Sequence, residues 1–491
     1  MKKAYLYIIL FIVVIVSCNK NLEVVPISSI SKESFFKTES DVQGALNGMY
    51  ALLRNQAVLN LFVWGEARSE TMTGSIAGSL GYERYYNNTM SAEITGPSWD
   101  GIYSTINTAN LILKYAPQIN FSNMTAKSKA LAEAYTMRAF LYFLLARTYG
   151  GVPLRIQPTE GYSPLTIQLP RSTETEVFSL IKSDIDSAIQ LYPNNAFQTG
   201  RNRWSKPAAN ALKGDVYLWT GKVLKGGTAD LNKALEALNN VIESPGLNLL
   251  TNYSDIFSYS NKGNAEIVMS IKFFVNESPG QVFTHNMYAS TSQYPSYIPQ
   301  SQRDSVGVPL AGNGNVWRIR DTVRQQFTAD DLRKAATYID ITGSGPNEYY
   351  TNYSLKYNGT VEAGVRHFQS DYILYRLADI VLLKAEAKNA LGQDPSEEIN
   401  TIRKRAYGAN FASHVFVNGS KEQNDDAILK ERLFELLLEG KRWWDLVRFD
   451  KAFALVPSLK GREIDSYLLY WPIGIATITR EPLVEENTGW K

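Results

Sequence analysis

Acidic and basic side chains fall into register late in this 491-residue chain. Glu431, Glu435 and Glu439 recur at i, i+4 and i+8, interleaved with Arg432, Arg442, Asp445 and Arg448. On a helix that spacing lines the three carboxylates along one face. A general acid and base for glycosidic cleavage would need two carboxylates flanking a cleft, roughly 5–9 Å apart. Carboxylates stacked beside arginines instead form ion pairs that orient helices, and the spacing fits this reading better. Arg138, Arg376 and Asp379 are read the same way, and Trp443-Trp444 as helix packing. No catalytic residue is assigned.

A second chemistry lies in less regular stretches. Tyr82-Glu83-Arg84-Tyr85-Tyr86-Asn87-Asn88 precedes a helix, and Tyr288, Tyr294, Tyr297, Gln300, Trp317 and Arg320 are spread through a long irregular region. Tyr349-Tyr350-Thr351-Asn352-Tyr353 lies near that region's end. Aromatic rings give rigid contact area, and amide and guanidinium groups offer fixed hydrogen-bond geometry. Together they suit a ligand with apolar C–H faces and many hydroxyls, as sugars have. The candidate contacts are Tyr82, Arg84, Tyr85, Tyr86, Asn87, Tyr288, Tyr294, Tyr297, Trp317 and Arg320.

Other chemistries are poorly served. One cysteine cannot make an intrachain disulfide or a CxxC site, and His285, His367 and His414 are scattered. No GxxxxGK[ST], HExxH or GxSxG motif is present. Asp/Asn-rich loops could hold a structural calcium, but no EF-hand spacing occurs, so no metal or cofactor is assigned. A formal charge of +2 argues against nucleic acid, which needs a basic surplus.

The single cysteine is placed to carry lipid. Lys2-Lys3, an apolar run of about 13 residues and Ser17 before Cys18 make a secretory signal, too short for a membrane span of about 20 residues. Ile15-Val16-Ser17-Cys18 looks like a bacterial lipobox, with Cys18 acylated as the mature N-terminus. Loss of residues 1–17 removes two lysines and leaves a formally neutral chain. Residues 18–31 read as a polar, lipidated tether.

Helical periodicity organises most of the rest. Thr38 caps a helix with Val42, Leu46, Met49 and Leu53 on one face, and Trp99, Ile102, Ile106 and Leu113 mark a second. A third spans about Thr125–Tyr149, a fourth follows Thr173, and Ser205–Lys225 with Ala229–Glu243 forms a hairpin. The spacing suggests tetratricopeptide-like units of about 34 residues. From Leu247 to Ser370 the pattern breaks into a strand, Ala265–Phe273, and an irregular, aromatic-rich stretch. Helices resume over Asp371–Leu391, Ser396–Ala406 and Asp425–Phe449.

Several segments together resemble the RagB/SusD family of outer-membrane nutrient-binding lipoproteins. They are ILKERLFELLLEGKRWWDLVR (428–448), EAYTMRAFLY (133–142) with YGGVPL (149–154), YRLADIVLLKAEA (375–387) and NTIRKRA (400–406). YWPI (470–473) and NTGW (487–490) echo the family's closing motifs. The resemblance implies a mainly α, SusD-like fold with helical hairpins as scaffold and a long, partly β insert carrying ligand loops. The expected layout is a signal peptide (1–17), the tether (18–31) and one domain (32–491), divided into hairpins (32–246), insert (247–370) and C-terminal helices and tail (371–491). It also implies a non-catalytic protein, lipid-anchored on the outer membrane and facing the exterior. Such a protein captures oligosaccharide, or in some members peptide, for a SusC-like TonB-dependent barrel. A surface glycoside hydrolase and a scaffold binding only its barrel are the competing readings.

Overall fold

The computed structural model describes residues 35–490 apart from 79, 162–166, 276–279, 307–313, 346–347 and 364. The apolar leader, Cys18 and the tether lie outside the described residues. Thr38 opens α1 (Glu39–Ala57) with a reciprocal capping box, its hydroxyl accepting from the Asp41 N–H and the Asp41 carboxylate accepting from the Thr38 N–H. Two donors without helical partners are thereby satisfied. There follow α2 (Asp100–Tyr115), α3 (Met124–Tyr149), α4 (Glu174–Leu191), α5 (Lys206–Lys222) and α6 (Gly227–Ile242). Each packs on the next, and α6 continues the series onto α7 (Leu377–Ala390), flanked by α8 (Ser396–Tyr407) and α9 (Lys421–Leu436). The expected helical hairpins are the body of the molecule.

Among the described residues, eight short strands make four antiparallel two-stranded ribbons. They are β1 (Met72–Gly74) with β3 (Trp317–Ile319), β2 (Ile267–Ile271) with β8 (Tyr372–Arg376), β4 (Tyr338–Thr342) with β5 (Tyr349–Ser354), and β6 (Thr360–Glu362) with β7 (Val365–His367). Two expectations need correction. The helix expected from Asp371 begins at Leu377, because Tyr372–Arg376 is a strand with every residue buried. Its aromatic and β-branched residues suit a strand, and with no polar face neither helical nor strand period is visible in it.

The helix expected over Asp425–Phe449 starts earlier, at Lys421, where Ser420 and Gln423 form a capping box, and stops at Leu436. Leu438 and Gly440 both adopt φ of +70° before α10 (Arg442–Arg448) begins. The break is held by buried Glu66, whose carboxylate accepts from the N–H groups of Leu438, Gly440 and Lys441 at 3.0, 3.0 and 3.2 Å. The chains cross so closely that a Cβ on Gly65 would sit 1.9 Å from the Gly440 carbonyl oxygen. Glu439 thus leaves the helical face of Glu431 and Glu435.

All three glutamates nevertheless serve one ion-pair network, as the structural reading expects. Arg376 meets Glu266 at 2.9 Å, Glu435 at 2.6 Å and Glu439 at 2.8 Å. Arg333 meets Asp331 at 2.8 Å, Glu431 at 2.6 Å and Glu435 at 3.2 Å. Lys356 reaches Glu439 at 2.8 Å, while Arg403 and Arg405 reach Glu431 and Glu266 at 2.8 and 2.6 Å. Burial alone would raise the Glu435 carboxyl, but Arg405, Arg376 and Arg333 outweigh it and hold it well below the ordinary range. A neighbouring cluster does the same: against burial, Lys441 and Arg432 bring Asp379 down to about 2, and Arg448 and Lys222 bring Glu386 down to about 2.

Removing one partner strands buried charge. Arg376→Met is expected to lose about 3–5 kcal/mol in urea unfolding, whereas Arg462→Ala, at a partly exposed pair with Asp465, should lose under about 1 kcal/mol. Acid tests the same groups. Because the folded Asp379 and Glu386 pKa values lie below the unfolded ones, their stabilisation is present above about pH 4.5 and is lost as pH falls toward 2. Urea midpoints should therefore drop steeply across that window.

Candidate functional site

The three aromatic clusters of the sequence meet at one place. β1 pairs with β3 in the register Met72–Ile319, Thr73–Arg318, Gly74–Trp317, which brings the Tyr82 loop against the insert. The pairing runs on past β1, Ser75 N–H donating to Val316 O at 3.2 Å and Ala77 N–H to Asn315 O at 3.3 Å. Asn352 then ties β3 to β5 by standing in for a strand. Its side-chain oxygen accepts from the Ile319 N–H and its amide donates to the Ile319 carbonyl, both at 2.9 Å.

The alternation of a strand sorts the candidates into two layers. Trp317 and Ile319 point inward while Arg318 between them is partly exposed. Trp317 is fully buried, its indole N–H donating to Phe283 O at 2.9 Å and its ring edge-on to Tyr82 at 4.6 Å. Tyr288 is likewise interior, its hydroxyl donating to Ser354 O at 2.5 Å and its ring stacked on Tyr353. Tyr85, Tyr86 and Tyr294 are also buried. Tyr86 lies against β1 so closely that a Cβ on Gly74 would be 2.7 Å from its hydroxyl. These five are a supporting layer and offer little surface to a ligand.

The outer layer is where contact with solvent remains. Asn87 is exposed, Tyr82, Arg84 and Arg320 are partly exposed, and Tyr297 is 43% exposed. Arg320 is anchored by donating to Glu70 O at 3.2 Å and Met72 O at 3.0 Å, and burial lowers its pKa. Arg84 donates to the Tyr85 hydroxyl at 3.1 Å. Sequence reasoning passed over Arg318 although its position between inward Trp317 and Ile319 is legible in the alternation. Arg318 and Arg324 share Asp321, each at 2.7 Å, and both guanidinium groups lie over Tyr349, at 5.5 and 4.2 Å from its ring centre. Tyr350, partly exposed, donates its hydroxyl to Gln293 O at 2.5 Å. The result is an open face of tyrosine rings and oriented guanidinium groups over an aromatic floor. Among the described residues no group of three His, Cys, Asp or Glu side chains is placed to hold a metal ion.

Helical hairpins thus carry an aromatic, arginine-bearing loop face. Comparison with known proteins agrees. Residues 308–490 match the model of the SusD family and residues 20–218 a second, described as "Starch-binding associating with outer membrane". The SusD-like protein P38 of Formosa agariphila is 30% identical, with 96% of this chain and 95% of that protein aligned. The starch-binding protein SusD of Bacteroides thetaiotaomicron is 25% identical over 73% of this chain and 72% of its own. Among solved structures, B. fragilis NanU superposes with a TM-score of 0.81 at 32% identity, covering 95% of this chain and 99% of NanU. The chain belongs to the SusD family.

The two layers should separate under mutation. Trp317→Ala is expected to cost about 3–5 kcal/mol of stability through the cavity it leaves. Tyr297→Ala, at an exposed ring, should stay within about 0.5 kcal/mol. Denaturant midpoints of the two variants check the assignment.

Proposed function

We propose that this protein is a non-catalytic outer-membrane lipoprotein that binds oligosaccharide on the β1–β3 face and delivers it to a SusC-like TonB-dependent barrel. The observation that carries the reading is the convergence of three aromatic clusters, distant in sequence, on one face. Tyrosine rings there can lie on sugar C–H faces while Arg84, Asn87 and Arg318 meet hydroxyls. Membership of the SusD family supports the saccharide class, and so does the starch-binding description of one matching family model. The lipobox-like Ile15-Val16-Ser17-Cys18 sequence supports lipid anchoring, and resemblance to the family supports an exterior-facing orientation. A binding role is supported over cleavage because Glu431, Glu435 and Glu439 are buried in ion pairs, where they cannot flank a substrate as acid and base.

Calorimetric titration of residues 19–491 with a panel of α- and β-glucan oligosaccharides and, separately, peptides tests the proposal. Saccharide binding with intact oligosaccharide recovered afterwards is expected. The combined Arg84→Ala and Tyr297→Ala variant should weaken it at least tenfold with the thermal midpoint unchanged. Binding of peptides alone would overturn the saccharide assignment, and release of new reducing ends would overturn the non-catalytic one.

A further inference from the structure

A second concavity lies along the outer side of α2. Asp100, Tyr103, Ser104 and Asn107 occupy i, i+3, i+4 and i+7, so they form one stripe, while Ile102, Ile106, Ala109 and Ile112 on the other side are buried. The stripe faces Arg155, Thr159, Ile167, Gln168 and the C-terminal Arg480-Glu481 across a cavity of about 440 Å³. A smaller, separate lobe of about 290 Å³, walled by Pro97, Trp99, Tyr149 and Pro472, borders it at the paired Asp100 and Arg480. Both volumes are near those of small-molecule sites. No residue lining either lobe belongs to the β1–β3 face. Trp471 packs between the two places, its ring 5.8 Å from Tyr85 and its neighbour Pro472 in the apolar lobe.

The charges of this cleft cancel locally. Arg155 pairs with Glu481 at 2.6 Å and Arg480 with Asp100 at 2.7 Å, so the walls offer an ion no net attraction. What remains is neutral hydrogen-bonding capacity. Asn107 lines the cavity and uses its oxygen to accept from the Thr159 N–H at 2.7 Å, and its amide nitrogen carries two donors besides. Ser104, whose hydroxyl donates to Asp100 O at 3.0 Å and can still accept, lines the α2 side, and Gln168 lines the cavity opposite it. Arg155 is braced as well, its guanidinium donating to Ile167 O and lying 5.4 Å from the Tyr103 ring centre. A polar, charge-balanced lobe beside an apolar one matches a neutral unit that presents both hydroxyls and C–H bonds.

We infer that the α2 cleft is a second saccharide site, taking a neutral sugar unit apart from the β1–β3 face. The inference rests on the saccharide reading of the preceding section, and the test separates the two. Titration with neutral glucan oligosaccharides is repeated on the wild type, on Ser104→Trp, which plugs the cleft from an exposed position, on Gln168→Ala, and on the Arg84→Ala/Tyr297→Ala face variant. Two sites per chain are expected, falling to one in Ser104→Trp and to one in the face variant, with the cleft site weakened at least threefold by Gln168→Ala. A single site lost in Ser104→Trp but kept in the face variant also supports the cleft. A single site lost in the face variant and unchanged in Ser104→Trp overturns the cleft while leaving the proposed function intact. No saccharide binding by any protein overturns both.

Discussion

Buried charge pins several non-helical segments of this fold to its helices. Arg376 on β8, Glu266 ahead of β2, Glu435 on α9 and Glu439 beyond its end meet with no exposed side-chain surface. Arg333 and Lys356 bring in two further segments of the insert. Five cations and five carboxylates close the network, so no net charge is left in a medium where an unpaired one costs several kcal/mol. The arrangement acts as a register mark. If α9 slid by one turn against β8, Arg376 would lose its partners without gaining water.

That register has consequences at the binding face. Among the described residues the strands of the insert form only short ribbons, and two-stranded ribbons are marginal alone. They hold because Trp317, Tyr288 and their neighbours pack into the body, and because Lys356 just beyond β5 donates to Glu439 and to the Glu435 carbonyl. The inner aromatic layer therefore sets where the outer one stands. Arg318, Arg324 and Tyr349 are oriented from beneath, with Asp321 fixing both guanidinium groups, which lowers the ordering cost of meeting a ligand.

Much of the helical body was legible because capping and periodicity are local. Thr38, Thr173 and Ser205 act as the caps their spacing announces. Tyr372–Arg376 escaped because a fully buried strand has no polar face to reveal its period. The break at Leu437–Lys441 escaped for another reason: it is imposed by Glu66, roughly 370 residues away in sequence. The aromatic clusters were found by composition, yet composition could not distinguish floor from surface. Tyr288 carries the same ring as Tyr297 and Tyr82, and only packing separates them.

The sequence alone determined the family, the helical scaffold, the ion-pair character of Glu431, Glu435 and Glu439, and the segments from which a binding face could be drawn. These depend on residue type at fixed short spacing, which chain geometry converts directly into a shared face or a cap. Tertiary structure decided which aromatics face outward, where the Tyr82 loop meets the insert, and that α2 borders a charge-balanced cleft with Arg155 and Arg480. Those outcomes depend on contacts between residues hundreds of positions apart, and no local spacing encodes which of several chemically equivalent tyrosines will be covered.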